Sequence, residues 1–232
     1  MSTIANNIAK VAARIREAAQ AAGREPSTVG LLAVSKTQPA GAVREAFAAG
    51  LGDFGENYLQ EALEKQALLA DLPLTWHFIG PIQSNKTKAI AEHFAWVHSV
   101  DRLKIAQRLS DQRPADLPPL NVCLQVNVSD EQSKSGCSES EARELVAAIS
   151  ALPRLHLRGL MCIPAPSDDP AAQRAAFARL RRLRRLRDEL DPRMDTLSMG
   201  MSQDLEAAIA EGATWVRIGT ALFGARDYGR PQ

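Results

Sequence analysis

Three places in the sequence carry side chains suited to chemistry. The first is Lys36, near the end of the run Gly30-Leu-Leu-Ala-Val-Ser-Lys36-Thr. Residues fit for a fully buried strand deliver its amine to the strand's carboxyl end, where Thr37, Gln38 and Pro39 stop the strand. Burial disfavours an ammonium, and a lysine so placed is prepared to attack an aldehyde or ketone and form a Schiff base. A strand-end lysine snorkelling to water is the plain alternative. The second place is Ser198-Met-Gly-Met-Ser202, and the third is Val216-Arg-Ile-Gly-Thr220, which contains Arg217. Hydroxyls and unhindered glycine backbone beside a helix start can cradle a phosphate. An arginine is permanently charged and only donates hydrogen bonds.

Such residues need a frame that gathers them. Ile4, Ile8, Val11 and Ile15 recur at helical spacing, so the chain opens with an amphipathic helix ending near Gly23 and Pro26. Strand-like and helix-like segments then alternate. Strands are expected at 29–35, 52–55, 74–79, 96–100, 120–128, 155–161, 196–199 and 215–218. Helices are expected at 40–49, 59–69, 85–94, 102–111, 139–151, 171–190 and 205–211. The strands lack polar/apolar alternation, as parallel strands covered on both faces do. Eight β-α alternations with no break in composition predict a single α/β domain over residues 1–232, a (β/α)8 TIM barrel. The proline-rich stretch at 113–119 reads as a loop within it.

In such a barrel the residues just after each strand meet at one rim. They are Lys36, Asn57, the segment from His77 to Gly80, Ser99 with Asp101, Asn127 with the loop to Gly136, and Cys162 with Pro164. Ser198, Gly200 and Ser202, then Arg217, Gly219 and Thr220, complete the ring. Phosphate commonly sits in the loops after the seventh and eighth strands. Ser202 reads as the N-cap of a helix from Gln203, with Asp204 complementing its dipole. That leaves Ser198, Gly219 and Thr220 as the phosphate candidates. An amine, a phosphate cup and an arginine on neighbouring strands describe a pyridoxal 5'-phosphate (PLP) site. Arg217 opposite the pyridine nitrogen would keep that nitrogen unprotonated, which makes the ring a weak electron sink.

At these residues the chain resembles the pyridoxal phosphate homeostasis proteins, also called the YggS or proline synthetase co-transcribed family. The matching stretches are Ala33-Val-Ser-Lys36-Thr, Phe54-Gly-Glu-Asn57-Tyr, Trp76-His-Phe-Ile-Gly-Pro-Ile-Gln83-Ser-Asn-Lys86 and Val97-His-Ser-Val-Asp101-Arg. Ser133-Lys-Ser-Gly136, Gly159-Leu-Met-Cys-Ile-Pro164, Leu197-Ser-Met-Gly-Met-Ser202 and Val216-Arg-Ile-Gly-Thr220 continue the match over nearly the whole chain. The resemblance implies a barrel like the N-terminal domain of alanine racemase, with PLP on Lys36, Arg217 at the ring nitrogen, and Ser198, Gly219 and Thr220 at the phosphate. It also implies Asn57 and His77 as neighbours of the cofactor. The family is thought to buffer or deliver vitamin B6 cofactor and to affect amino-acid pools, without robust turnover; apo PLP-dependent enzymes are the implied recipients.

The competing class is a PLP-dependent racemase or decarboxylase of low activity. Racemases of this barrel kind use a second, β-rich domain and its tyrosine across a dimer. The sequence continues only twelve residues past Thr220 and offers Tyr58 and Tyr228, so a monomeric carrier with no catalytic residues is expected. Among 232 residues the apolar share is 45%, the charged share 24% and the net charge +1, which gives no electrostatic case for nucleic acid or an acidic membrane. The arginines from Arg179 to Arg187 share their stretch with leucines at helical spacing and read as a solvated basic face. Cys123, Cys137 and Cys162 are widely spaced and odd in number, which suits a reducing cytoplasm and disfavours structural zinc. No apolar run approaches a membrane span. His93, His98 and His156 read as ordinary strand or helix histidines. Lys134, in the loop Ser133-Lys-Ser-Gly136, reads first as a solvated loop charge and second as a lysine that could transiently accept the aldehyde.

Overall fold

A computed structural model describes residues 3–129 and 135–224. Lys134 and Tyr228 lie outside the described residues. Eight parallel strands close on themselves in sequence order, β8 pairing back onto β1. They are β1 (Gly30–Val34), β2 (Asp53–Glu56), β3 (Thr75–Phe78), β4 (Trp96–Val100), β5 (Leu120–Gln125), β6 (Leu155–Met161), β7 (Thr196–Ser198) and β8 (Trp215–Ile218). The helices are α1 (Thr3–Ala21), α2 (Ala40–Ala48), α3 (Leu59–Leu68), α4 (Thr87–His93), α5 (Leu103–Gln112), α6 (Glu139–Ser150), α7 (Pro170–Arg182), α8 (Leu186–Glu189), α9 (Leu205–Ala210) and α10 (Thr220–Phe223). None of the described helices is long and apolar enough to cross a membrane.

The main hydrophobic core lies between strands and helices. α1 buries Ile8, Val11, Ile15 and Ala19 and packs against α9 and α10. Two smaller clusters are separate from this shell: Leu32, Val34 and Ile79 with Trp215, and Trp96, Cys123 and Met161. Alternation along the strands turns these side chains to the inside of the barrel. His77 is stacked on Trp96 there, with ring centroids 5.5 Å apart.

Helix starts follow local chemistry. Ser138 caps α6 with a complete capping box through Glu141. Asp169 caps α7, whose first residue is Pro170. The long helix expected at 171–190 divides instead into α7, a 3-10 turn at Leu183–Arg185 and α8. Phe177, Leu180, Leu183 and Leu186 are all buried and three residues apart, and a tighter turn of three residues keeps such a row on one line. The basic face of this segment is ion-paired: Arg174 and Arg181 with Glu211, Arg179 with Glu139, and Arg185 with Glu189. A further helix, α10, follows Gly219 where no helix was expected. The expected cap at Ser202 is corrected: α9 begins at Leu205, with Asp204 in the cap position. Residues 202–204 form turns because the Asp204 carboxylate turns back to accept the Met201 N–H at 2.6 Å.

Candidate functional site

Lys36, Asn57, Arg217, Gly219 and Thr220 line one cavity of about 520 Å³ at the carboxyl ends of the strands. That is an ordinary size for a small-molecule site.

Lys36 follows β1 on a turn that is fixed on both sides. The next residue, Thr37, has φ +64, which for a side chain branched at Cβ is a strained conformation. Its N–H donates to Glu61 Oε1 at 2.6 Å, which holds it there. Ahead of Lys36, the Ser35 hydroxyl donates to Glu56 Oε1 at 2.6 Å. Lys65, from α3, then joins both sides. Its ammonium lies 2.6 Å from the Ser35 carbonyl, from Glu56 Oε1 and from Glu61 Oε1. Lys65 is 4% exposed and Glu56 fully buried. Burial pushes the Glu56 carboxyl above its usual range, against the downward pull of Lys65. A buried ion cluster therefore clamps the backbone immediately before and after the candidate nucleophile.

Asn57 leaves β2 directly after Glu56. Its Oδ1 is buried with no donor among the described residues. Gly80 passes close beside it: a Cβ there would stand 2.3 Å from the Asn57 carbonyl oxygen, so the loops after β2 and β3 pack backbone to backbone. The Gly80 carbonyl in turn accepts the Ser99 hydroxyl at 2.5 Å.

On the other side of the mouth, Arg217 is buried yet reaches the cavity wall. Nη1 donates to Ser198 Oγ and Nη2 to the Cys162 carbonyl, each at 2.8 Å. Burial lowers its pKa, and it still remains a cation in any physiological range. Gly219 and Thr220 open α10, whose first N–H groups have no carbonyl within the helix. The loop after β7 faces them and brings Ser202 to the cavity wall. Arg14 of α1 holds that loop through the Ser202 carbonyl at 3.0 Å while paired with Glu206. Gly200 at φ +95 lets the loop lie on α9, where a Cβ would meet Ala208 at 2.5 Å.

Two expected site residues lie elsewhere. Ser198 and His77 do not line the cavity; both are fully buried inside the barrel. Ser198 lies behind Arg217, because β7 ends with it and the arginine covers its hydroxyl. His77 lies inside the barrel on β3, where Nε2 meets Asp53 Oδ1 and Nδ1 meets His98 Nε2, both at 3.0 Å. His98, read from sequence as ordinary, links the two: its Nδ1 is 2.7 Å from Ser198 Oγ. Lys65 and Glu61 are thus the residues that sequence reading passed over, whereas Ser202 was read as a helix cap and His98 as an ordinary histidine. The three cysteines are free and buried, and burial pushes each thiol up to about 12. None of them competes with an amine for an electrophile near neutrality.

These residues fit PLP. Arg217 offers donors to a ring nitrogen, and the α10 start and the loop after β7 offer a phosphate cup. The unpartnered Asn57 Oδ1 awaits a donor from a ligand.

Comparison with known proteins places this architecture. The alanine racemase N-terminal domain matches residues 6–227. The pyridoxal phosphate homeostasis protein of Pseudomonas aeruginosa is 78% identical over 231 residues, spanning 100% of this chain and 99% of that protein. Its namesake in Escherichia coli is 54% identical over 240 residues, covering 99% and 100%. The structure of PipY from Synechococcus elongatus with PLP bound superposes with a TM-score of 0.82 at 42% identity, over 96% of this chain and 100% of that one. Alanine racemase of Corynebacterium glutamicum shares the fold, with a TM-score of 0.71 at 19% identity over 99% of this chain and 63% of that one. The chain belongs to the pyridoxal phosphate homeostasis family, built on the alanine racemase N-terminal barrel.

Proposed function

We propose that this chain binds PLP in the cavity at the carboxyl rim and serves to buffer the cofactor or deliver it to apo-enzymes. One observation carries the reading: a lysine on the clamped turn after β1 lines the same cavity as a buried arginine bonded to a hydroxyl and a carbonyl, and as the glycine and hydroxyl residues Gly219, Thr220 and Ser202. When bound, PLP supplies an electrophilic aldehyde and a ring that can accept electrons from an amino compound. Lys36 would hold the cofactor through its amine, the nucleophile that the electrophilic aldehyde calls for. Arg217 donates to the ring nitrogen and keeps it without a proton. Gly219, Thr220 and Ser202 hold the phosphate through backbone N–H and hydroxyl groups. Asn57 Oδ1 would accept from the ring's 3-hydroxyl, the one ring substituent that can donate. Three free thiols support a cytoplasmic setting.

A carrier is favoured over a racemase by the groups at the cavity. Its titratable lining residues among those described are Lys36, Asp204 and Arg217. Asp204 is engaged by the Met201 N–H, and Tyr58 is exposed away from the lining. Proton exchange on two faces of a substrate needs an acid and a base placed on opposite sides. The test is to incubate purified, PLP-loaded protein with single amino-acid enantiomers, and separately with an apo PLP enzyme. Recovery of the apo-enzyme's activity without racemisation or decarboxylation supports the carrier. Steady turnover that disappears in Lys36→Ala contradicts it.

A further inference from the structure

The interior of the barrel holds a line of polar side chains of which the proposed function uses only the last, Arg217. It runs from Asp53, at the amino end of β2, through His77 on β3, His98 on β4 and Ser198 on β7 to Arg217 on β8. Every link is 2.7–3.0 Å long. His77, His98 and Ser198 are fully buried, whereas the Asp53 side chain is 35% exposed at the opposite rim from Lys36.

The two ends of the line fix the direction of every bond between them. Arg217 can only donate, so Ser198 Oγ accepts from it. A carboxylate can only accept, so His77 Nε2 carries a proton and donates it to Asp53. A neutral His77 then has a bare Nδ1, which must accept from His98 Nε2–H. His98 Nδ1 is bare in turn and accepts the one proton of the Ser198 hydroxyl. The reverse arrangement needs an imidazolium at His77 and leaves the Ser198 O–H without an acceptor in a buried place, both unfavourable. Burial pushes both imidazoles below their usual value, His98 further because His77 and Arg217 add to the effect.

We propose that His98, backed by His77 and Asp53, is a positioning residue for Arg217: a one-way hydrogen-bond chain through the barrel aims the guanidinium at the cavity while its nearest partners stay neutral. Ser198 Oγ and the Cys162 carbonyl hold the two Nη atoms without cancelling their charge. The carboxylate that anchors the chain stands three links from Ser198, at the far rim. Among the described residues no carboxylate is bonded to Arg217; Asp204, which shares the cavity lining and acts on it through space, is bonded to the Met201 N–H, so the guanidinium is left to serve a ring nitrogen. This rests on the reading of the cavity as a PLP site.

The test uses the full chain with 15N-labelled histidines. Without added PLP, His77 and His98 are expected to be neutral, each protonated on Nε2 and bare on Nδ1. A proton on either Nδ1 overturns the chain. Asp53→Leu, a change at the rim, removes the acceptor of His77 Nε2–H and is expected to shift the His77 Nε2 resonance while the tautomer, still set from the Arg217 end, is kept; an unchanged spectrum overturns the chain as well. PLP titration then tests positioning. His98→Phe fills the space without an acceptor and is expected to weaken PLP binding about tenfold and to shift the visible absorption maximum. His98→Asn, whose Oδ1 stands near the position of Nδ1, is expected to stay within about threefold of the parent. Equal affinity and equal spectra for His98→Phe and the parent overturn the role. If His98→Phe does not fold, Asp53→Leu serves in the same titration, with weakening expected in the same direction and parent-like binding overturning the role. Parent protein that takes up no PLP overturns the proposed function and Arg217 positioning together, while the tautomer spectra judge the chain independently.

Discussion

The two sides of the cavity mouth are held by opposite means. The Lys36 side is fixed by charge: Lys65 and Glu56, both buried, and the partly exposed Glu61 form an ion cluster that grips the backbone before and after Lys36. The Arg217 side is fixed by neutral groups, a serine hydroxyl, a backbone carbonyl and two imidazoles. On the proposed reading, the difference follows from what each residue must do. Lys36 has to present an amine at one point on a strained turn, so its backbone is what needs fixing. Arg217 has to present charge to a ligand, so a carboxylate partner of its own would work against it.

Breaking the charged side should have the largest effect. Lys65→Met strands the fully buried Glu56 carboxylate and is expected to lower stability by about 3–5 kcal/mol in denaturant unfolding. Adding Glu56→Gln to it should restore part of that loss, because an amide needs no counter-charge; a double variant no better than the single would show that the cluster is not coupled. On the neutral side, Ser198→Ala removes an acceptor from Arg217 and a donor from His98. The expected loss is smaller, about 1–3 kcal/mol, measured the same way.

The neutral side should also be the more sensitive to mild acid. His77 and His98 have folded-state pKa values lowered by burial, with Asp53 and Arg217 the charged groups facing them and Arg158 stacked on Trp96 beside them. The unfolded chain therefore binds more protons than the folded one below about pH 6.5. Stability should be fully present above that pH and decline as pH falls toward the folded values. The slope is at most about 1.4 kcal/mol per pH unit for each histidine. His98→Asn removes one of the two titrations, and unfolding curves from pH 7 to 5 should flatten accordingly. The smallest effect belongs to Thr37→Gly. Relief of the positive φ is offset by extra chain entropy, and the variant should stay within about 1 kcal/mol of the parent.

What the sequence made legible follows the same division. The eight strands were readable because covered parallel strands are continuous apolar runs, and Lys36 stood out as a charge closing one of them. Asn57, Arg217, Gly219 and Thr220 followed from the rule that strand ends gather at one rim. Lys65 was hidden because Glu61 and Lys65 look like an ordinary i,i+4 pair on α3; only barrel closure brings the amine to Ser35. His98 was hidden because a histidine in an apolar strand usually signals core. Its pairing with His77 depends on the register of β3 and β4, in which His77 stands opposite Trp96. Ser198 and His77 were assigned to the rim from their place in sequence, whereas strand alternation turns them inward, behind Arg217 and in the barrel interior.

The central claim is that Lys36 is the amine that holds PLP. Protein loaded with PLP, reduced with borohydride and digested should yield a single pyridoxyl-modified peptide, bearing the group on Lys36, with the label absent in Lys36→Ala. A label on Lys65 or spread over surface lysines, or protein that takes up no PLP at all, would contradict it.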